Sequence, residues 1–185
     1  MKLKKRLTDI SNRIIILSAL LLVVIIVLSP KSQDSVEIVI EETTSNIIFR
    51  YGSSQGKHPN ELDTFKGIFT KDMVNKDPVT TKLDLTQDEL DTIYQKMVDI
   101  DFFSYPNWFH LKIEGDIHST QTPFTGYYLE YHNETGTKVV YWTTQYSAPE
   151  DTQYQNLKEL AHLIIEIIQA KPEYKKLPEP TAGYA

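Results

Sequence analysis

His110, Glu114, Asp116 and His118 fall within one short stretch, and imidazole and carboxylate are the ligand types that hold zinc or a harder cation. Their spacing, His-x-x-x-Glu-x-Asp-x-His, matches no standard metal site, and a polar loop after Trp108 and Phe109 would carry such side chains in any case. No metal ligand and no cofactor is assigned. A hydrolase needs a nucleophile, a base and an orienting acid that meet in space. The usual flags, Gly-x-Ser-x-Gly, Ser-x-x-Lys with its partners and His-Glu-x-x-His, do not occur. Phosphate loops and dinucleotide fingerprints are missing as well. With 25 Asp and Glu residues some close carboxylate pair is inevitable, so a glycosidase-like pair carries no information. The chain has no cysteine, which removes disulfides, thiolate nucleophiles and sulfur-ligated metals together. No catalytic residue is assigned.

Tyrosine is what remains in excess. All eleven lie beyond residue 50, several near Trp108 or Trp142. Tyr is amphipathic and common at binding surfaces, but it also suits half-buried strand positions, and that plainer account is preferred. If a binding surface exists, Tyr128, His132 and Trp142 on the sheet, together with loop 52–63, are expected to form it. His58 and His132 read as surface residues, and His162 as the edge of a helical stripe.

The elements that would position these residues follow from periodicity and caps. Val36, Ile38 and Ile40 alternate as one strand and Ile47, Phe49 and Tyr51 as its hairpin partner. Residues 52–63 are rich in Gly, Ser, Pro and Asn and read as a loop. Residues 65–73 and 79–85 read as two further strands, divided by Asn75-Lys76-Asp77-Pro78. Thr86 and Glu89 form a capping box with Leu85 and Leu90 as its staple, which predicts a helix over 86–99. Residues 125–132 and 137–144 bracket Asn133-Glu134-Thr135-Gly136, a hairpin turn in which Gly136 takes positive φ. Tyr127, Leu129 and Tyr131 point one way, and Tyr128, Glu130 and His132 the other. A second capping box, Ser147 with Glu150, opens a helix whose stripe of Tyr154, Leu157, Leu160, Ala161, Ile164 and Ile168 must pack on a sheet and which Pro172 ends. The expectation is an α+β fold: an antiparallel sheet of about six strands in the order ββββαββα, with two helices on one face.

Residues 14–28 hold one Ser among apolar side chains and follow Lys2, Lys4, Lys5, Arg6 and Arg13. A helix satisfies its own backbone polar groups and can therefore enter hydrocarbon. Fifteen residues rise roughly 22 Å against a core of about 30 Å, so the span is minimal. A cleaved signal is the rival, but its best cleavage site, Val27-x-Ser29, would leave Pro30 just after the cut. The favoured reading is an uncleaved anchor, with the basic start cytoplasmic and the rest outside; secretion after cleavage is the alternative. The expected organisation is a cytoplasmic segment 1–13, a transmembrane signal-anchor helix 14–29, a linker 30–35, an extracytoplasmic α+β domain 36–176 and a tail 177–185.

Residues 1–31 carry six basic side chains against Asp9, or +5, so the whole-chain value of −6 leaves −11 for residues 32–185. An outer domain this acidic is not a nucleic-acid binder, because phosphate neutralisation needs clustered Lys and Arg. Partners are expected to be the membrane through residues 14–29 and an envelope protein, peptide or glycan.

Phe49-Arg50-Tyr51-Gly52, Asn60-Glu61-Leu62-Asp63-Thr64-Phe65-Lys66-Gly67, Phe69-Thr70-Lys71-Asp72-Met73, Ile93-Tyr94-Gln95-Lys96-Met97, Asp101-Phe102-Phe103-Ser104-Tyr105-Pro106 and Pro172-Glu173-Tyr174-Lys175-Lys176-Leu177-Pro178-Glu179-Pro180 with Gly183-Tyr184 supply a further clue. Together they resemble a family of bacterial membrane-anchored extracytoplasmic proteins with no assigned activity. The resemblance covers most of the domain except residues 107–124 and implies an envelope address, but no activity, cofactor or catalytic residue. Two functions from different classes follow. One is a non-catalytic extracytoplasmic module that binds an envelope component. The other is an envelope hydrolase with a site between loops 52–63 and 107–124, which would gather Asp63, His110, Glu114, Asp116 or His118 in one pocket.

Overall fold

The computed structural model describes residues 45–56, 59–111, 122–146 and 150–184. The expected anchor 14–29, linker 30–35 and first strand 36–40 lie outside them, as do His58, Glu114, Asp116, His118 and Ser147. Among the described residues no helix is long and apolar enough to cross a membrane.

The fold is α+β, with a six-stranded antiparallel sheet and two long helices. In chain order the elements are β1 Asn46–Ser53, β2 Asn60–Asp63, β3 Ile68–Lys71, β4 Val79–Lys82, α1 Gln87–Asp99, a 3-10 turn Phe102–Ser104, β5 Thr125–Asn133, β6 Gly136–Thr143, α2 Thr152–Ala170 and a short α3 Pro172–Lys175. The strands lie in the order β4-β3-β2-β1-β5-β6, and every neighbouring pair is antiparallel. Six strands were expected, but these are not the same six. The run 65–73 is broken, and residues 60–63, expected as loop, form β2. Gly67 is the physical reason. It sits at φ 61°, a conformation glycine adopts without strain, and a Cβ there would lie 2.1 Å from Asp84 Oδ1 unless that side chain moved aside. Asp63 Oδ1 accepts from Lys66 N at 3.1 Å and closes the same turn.

Alternation along the strands separates two faces. Ile47, Phe49, Leu62, Phe69, Leu129, Tyr131, Val140 and Trp142 are buried and join Ile93 and Met97 of α1 with Leu157, Leu160, Ala161, Ile164 and Ile168 of α2 in one core. Burying each large apolar side chain contributes about 1.5–3 kcal/mol, so this layer dominates the stability of the fold. The register pairs Phe49 with Leu62 and Leu129, and Leu129 with Val140, so four strands place apolar side chains in one row.

Both helix starts are capped, one as expected and one differently. Thr86 Oγ1 accepts from Glu89 N at 3.3 Å and Glu89 Oε2 accepts from Thr86 N at 2.7 Å, the reciprocal box. The Glu89 carboxylate also pairs with Lys171, tying the start of α1 to the end of α2. At α2 the cap is Asp151 rather than Ser147: its Oδ1 accepts from Tyr154 N at 2.8 Å. Asp151 directly precedes the first helical residue, where a carboxylate reaches the amide of the third helical residue and is also favoured by the positive end of the helix. The stripe on α2 is buried as predicted, and Pro172 ends the helix by holding Lys171 extended. At the β5–β6 turn, Asn133 Oδ1 accepts from Thr135 N at 2.9 Å and Gly136 N at 3.2 Å, and Gly136 takes φ 144°.

The tail beyond Lys176 lies against the sheet end. Glu179 Oε1 stands 3.1 Å from Lys71 Nζ, and that ammonium, its residue only 4% exposed, also sits 4.9 Å over the Tyr174 ring. The Tyr184 hydroxyl donates to Asp72, whose other oxygen accepts from Val74 N at 2.9 Å. Gly56 lies beneath that phenol, where a Cβ would come within 2.8 Å of its oxygen.

Candidate functional site

The sheet face turned away from the helices carries Arg50 on β1, Glu61 on β2, Tyr128, Glu130 and His132 on β5, and Tyr141 on β6. Each alternates with a core residue: Arg50 follows Phe49, Glu61 precedes Leu62, and Tyr128 precedes Leu129. A continuous polar chain crosses the strands. Arg50 Nε donates to Glu61, and the Arg50 guanidinium lies 4.9 Å over the Tyr128 ring. The Tyr128 hydroxyl donates to Glu130, Glu130 Oε1 meets His132 Nε2 at 2.6 Å, and His132 Nδ1 meets Thr137 Oγ1 at 2.9 Å. Phe65, from the β2–β3 turn, packs edge-on to His132 at 4.8 Å.

At one end of this face lies an open-sided groove of about 400 Å³. Its floor is two glycines placed opposite each other by the register, Gly52 on β1 and Gly126 on β5. With no Cβ on either, no side chain rises from the floor of either strand. The walls are Arg50 and Tyr128 on one side, Phe124 and Tyr141 on another, and Pro59 with residues 53, 54 and 56 of the β1–β2 connection. Neighbours already crowd the floor: a Cβ on Gly126 would sit 3.2 Å from the Tyr141 hydroxyl, and one on Gly52 would sit 3.2 Å from Pro59 Cα. Trp108, 61% exposed, continues the aromatic wall by packing 4.5 Å from the Tyr141 ring. Its segment is pinned to the sheet edge by Tyr141 N donating to Asn107 O at 2.8 Å and Phe109 N donating to Tyr141 O at 2.9 Å.

The electrostatics favour holding a ligand over reacting with it. Burial, the Glu130 hydrogen bond and the Glu130 charge raise the Tyr128 phenol above its ordinary range, so at neutral pH it is a donor and not a phenolate. For Arg50, burial alone would lower the pKa, but Glu61 outweighs it and the guanidinium stays charged. No carboxylate or imidazole is among the described lining residues, so Ser53 and Ser54 have no base beside them there. Both ring nitrogens of His132 are engaged elsewhere.

The structure separates the three residues expected on one surface. Tyr128 lines the groove. His132 shares its face but lies four residues along β5, about 14 Å away at 3.4 Å per residue. Trp142 belongs to the opposite face: it pairs with Tyr127, stacks on that ring at 5.2 Å and is 1% exposed in the core. Its expected place on a binding surface is therefore corrected. An aromatic side chain in a strand reads the same on either face, and only the β5–β6 register assigns it. Of the loop 52–63, residues 52–54, 56 and 59 do line the groove, while 60–63 belong to β2.

Asp63 and His110 do not share a cavity. Asp63, 2% exposed, is spent on Lys66 through its Nζ at 2.6 Å and its backbone amide. His110 lines a smaller cavity of about 250 Å³ behind the Phe124–Tyr141 wall, with Leu111, Thr143 and Tyr154. No group of three or more His, Cys, Asp or Glu that could hold a metal occurs among the described residues.

Arg50, Phe124, Gly126, Tyr141 and Trp108 were not singled out as site residues from sequence. One signal for them existed: Gly126 interrupts an otherwise aromatic strand, and a strand glycine often marks a close approach by a ligand or another backbone. The chain matches no protein-family model and no curated protein.

Proposed function

We propose that the chain is a single-pass, membrane-anchored extracytoplasmic protein whose α+β domain is a non-catalytic binding module at the cell envelope. The glycine-floored groove carries this reading: it is built from a rigid central strand pair, is walled by aromatic rings, and presents no nucleophile with a base among its described lining residues. The apolar segment 14–28 behind its basic start supplies the anchor, and the domain's −11 stands clear of the +5 carried by residues 1–31. The resemblance to bacterial membrane-anchored proteins supports the same address.

Binding is tested by placing a photo-crosslinking phenylalanine analogue at Tyr128, in the full-length protein in intact cells, with the same analogue at Thr80 as control. Thr80 is exposed on the edge strand β4, remote from the groove in strand order. A reproducible adduct from position 128 alone is expected; equal labelling from both positions, or none from either, overturns the reading. The address is tested separately by Ser32→Cys, which should react with an impermeant thiol reagent in intact cells without shortening of the chain. An unlabelled Cys contradicts the orientation, and a labelled but shortened product replaces the anchor with a cleaved signal.

A further inference from the structure

The groove's own chemistry narrows what it can hold, and this step rests on the binding-module reading above. Charge comes first. The one cation among the described lining residues, Arg50, already has its charge offset by Glu61 through Nε and lies over the Tyr128 ring, so it offers an anionic ligand little net attraction. An anion would also approach a domain carrying −11. A cation would meet no carboxylate among those same residues. The fitting ligand is neutral.

Shape comes second. Gly52 and Gly126 put no side chain into the groove, and the narrow strip of backbone they leave is bounded by Pro59 and the Tyr141 hydroxyl, bordered by the Tyr128 ring and continued by Trp108. A planar or chair-shaped ring with C–H groups on one face lies well on such a surface, because an aromatic face attracts the weakly positive edge of C–H bonds. Hydrogen bonding comes third. The Tyr141 hydroxyl makes no hydrogen bond among the described residues. Among the described residues Ser53 and Ser54 use their hydroxyl oxygens only as acceptors, from Gln55 N and Phe124 N at 3.2 Å each, which leaves their protons to donate. An apolar strip with a hydroxyl rim suits a ligand that has apolar faces and hydroxyl edges. An aromatic peptide side chain would leave the rim unpaired and prefers an enclosed pocket.

We propose that the groove is a binding site for a neutral oligosaccharide, one sugar ring lying on the Gly52–Gly126 floor beside Tyr128 and Tyr141 and the next on the exposed face of Trp108. A saccharide supplies alternating apolar faces and hydroxyl edges at successive rings, which matches a groove and an exposed tryptophan joined through Tyr141. The open side of the groove lets a chain run past it rather than end in it.

The test uses the full-length protein in a detergent without a sugar headgroup, with chitotetraose, cellotetraose and maltotetraose as probes, read by saturation-transfer NMR and calorimetry. Saturable binding of at least one probe is expected. Trp108→Ala and Gly126→Ala should each weaken it about tenfold, the first by removing the outer ring platform and the second by raising the floor against Tyr141. Trp108 is exposed, so its removal tests the site without threatening the fold, and melting curves of both variants confirm that the domain is intact. No saturable response to any of the three neutral sugars, or a response unchanged in both variants, overturns the proposal. If the crosslinker at Tyr128 then still captures a protein or peptide, the sugar assignment has failed while the binding module stands; if neither binds, both have failed.

Discussion

The two faces of the single sheet are built from alternate residues of the same strands, yet one is closed and apolar and the other open and polar. On the helix side Phe49, Leu62, Phe69 and Leu129 are fully buried. One residue along each strand, Arg50, Glu61, Thr70 and Tyr128 are only half-buried, and they join polar partners on the same face: Arg50 with Glu61, Thr70 with Thr80 and Tyr128 with Glu130. The difference teaches where function can reside in such a layer. The covered face needs every side chain for packing and cannot spare one. The open face can give up side chains altogether, as it does at Gly52 and Gly126, and the groove exists because of that loss.

The largest contrast is in stability. Trp142→Ala should cost about 3–5 kcal/mol in chemical denaturation. Tyr128→Ala, one register row away on the other face, should cost only about 1 kcal/mol, mainly the loss of Arg50 over its ring. Equal losses would mean that the open face is as tightly packed as the core.

Asp63 sharpens the comparison because it lies on the open-face side of β2 and is nevertheless buried. Burial alone would raise its carboxyl, but the Lys66 ammonium and backbone amide outweigh that and hold it below the usual 3.8. A depressed folded value stabilises the fold above the unfolded pKa, and that stability is lost as pH falls through the folded value. Asp63→Asn should therefore cost about 1–3 kcal/mol at neutral pH. Its melting temperature should converge with that of the parent protein as the pH drops below 3.8. A gap independent of pH would mean that the Asp63–Lys66 contact does not hold in solution.

Smaller effects are expected where the open face meets the tail. The Tyr184 phenol is pushed up to about 12 by burial and by its bond to Asp72. Tyr184→Phe should lose about 1 kcal/mol and, by freeing Gly56, should lower crosslinking from position 128; unchanged crosslinking would show that the tail does not brace the groove wall. The smallest effect belongs to His132→Ala, about 0.5 kcal/mol or less, with sugar binding unchanged. Weakened binding would instead show that the polar chain from Glu61 to Thr137 acts as one unit.

Much of the scaffold could be read locally. The Thr86–Glu89 box, the α2 stripe, the Gly136 turn and the opposed sets Tyr127-Leu129-Tyr131 and Tyr128-Glu130-His132 depend on residues a few positions apart, and all appear in the structure. Errors arose where a distant residue decided. The run 65–73 is broken at Gly67, whose φ of 61° turns the chain so that β3 can pair with both β2 and β4. The cap of α2 is Asp151, four residues beyond the expected Ser147. Of the expected surface, Tyr128 and residues 52–54, 56 and 59 of the loop line the groove, whereas Trp142 turns inward, because a strand aromatic does not announce its face.

Sequence alone determined the near-neighbour properties: the apolar, basic-flanked start, the −11 of the remainder, the α+β class, the Thr86–Glu89 cap and the alternation. These rest on period, charge and adjacency, which are written along the chain. Tertiary structure decided what lies opposite what. It set Gly52 against Gly126, laid Arg50 over Tyr128, packed Trp108 on Tyr141 and turned Trp142 inward. Each of these pairings spans strands distant in sequence. The physical reason is that side-chain direction in a strand alternates with a period of two, so a shift of one residue in register would exchange the groove for the core.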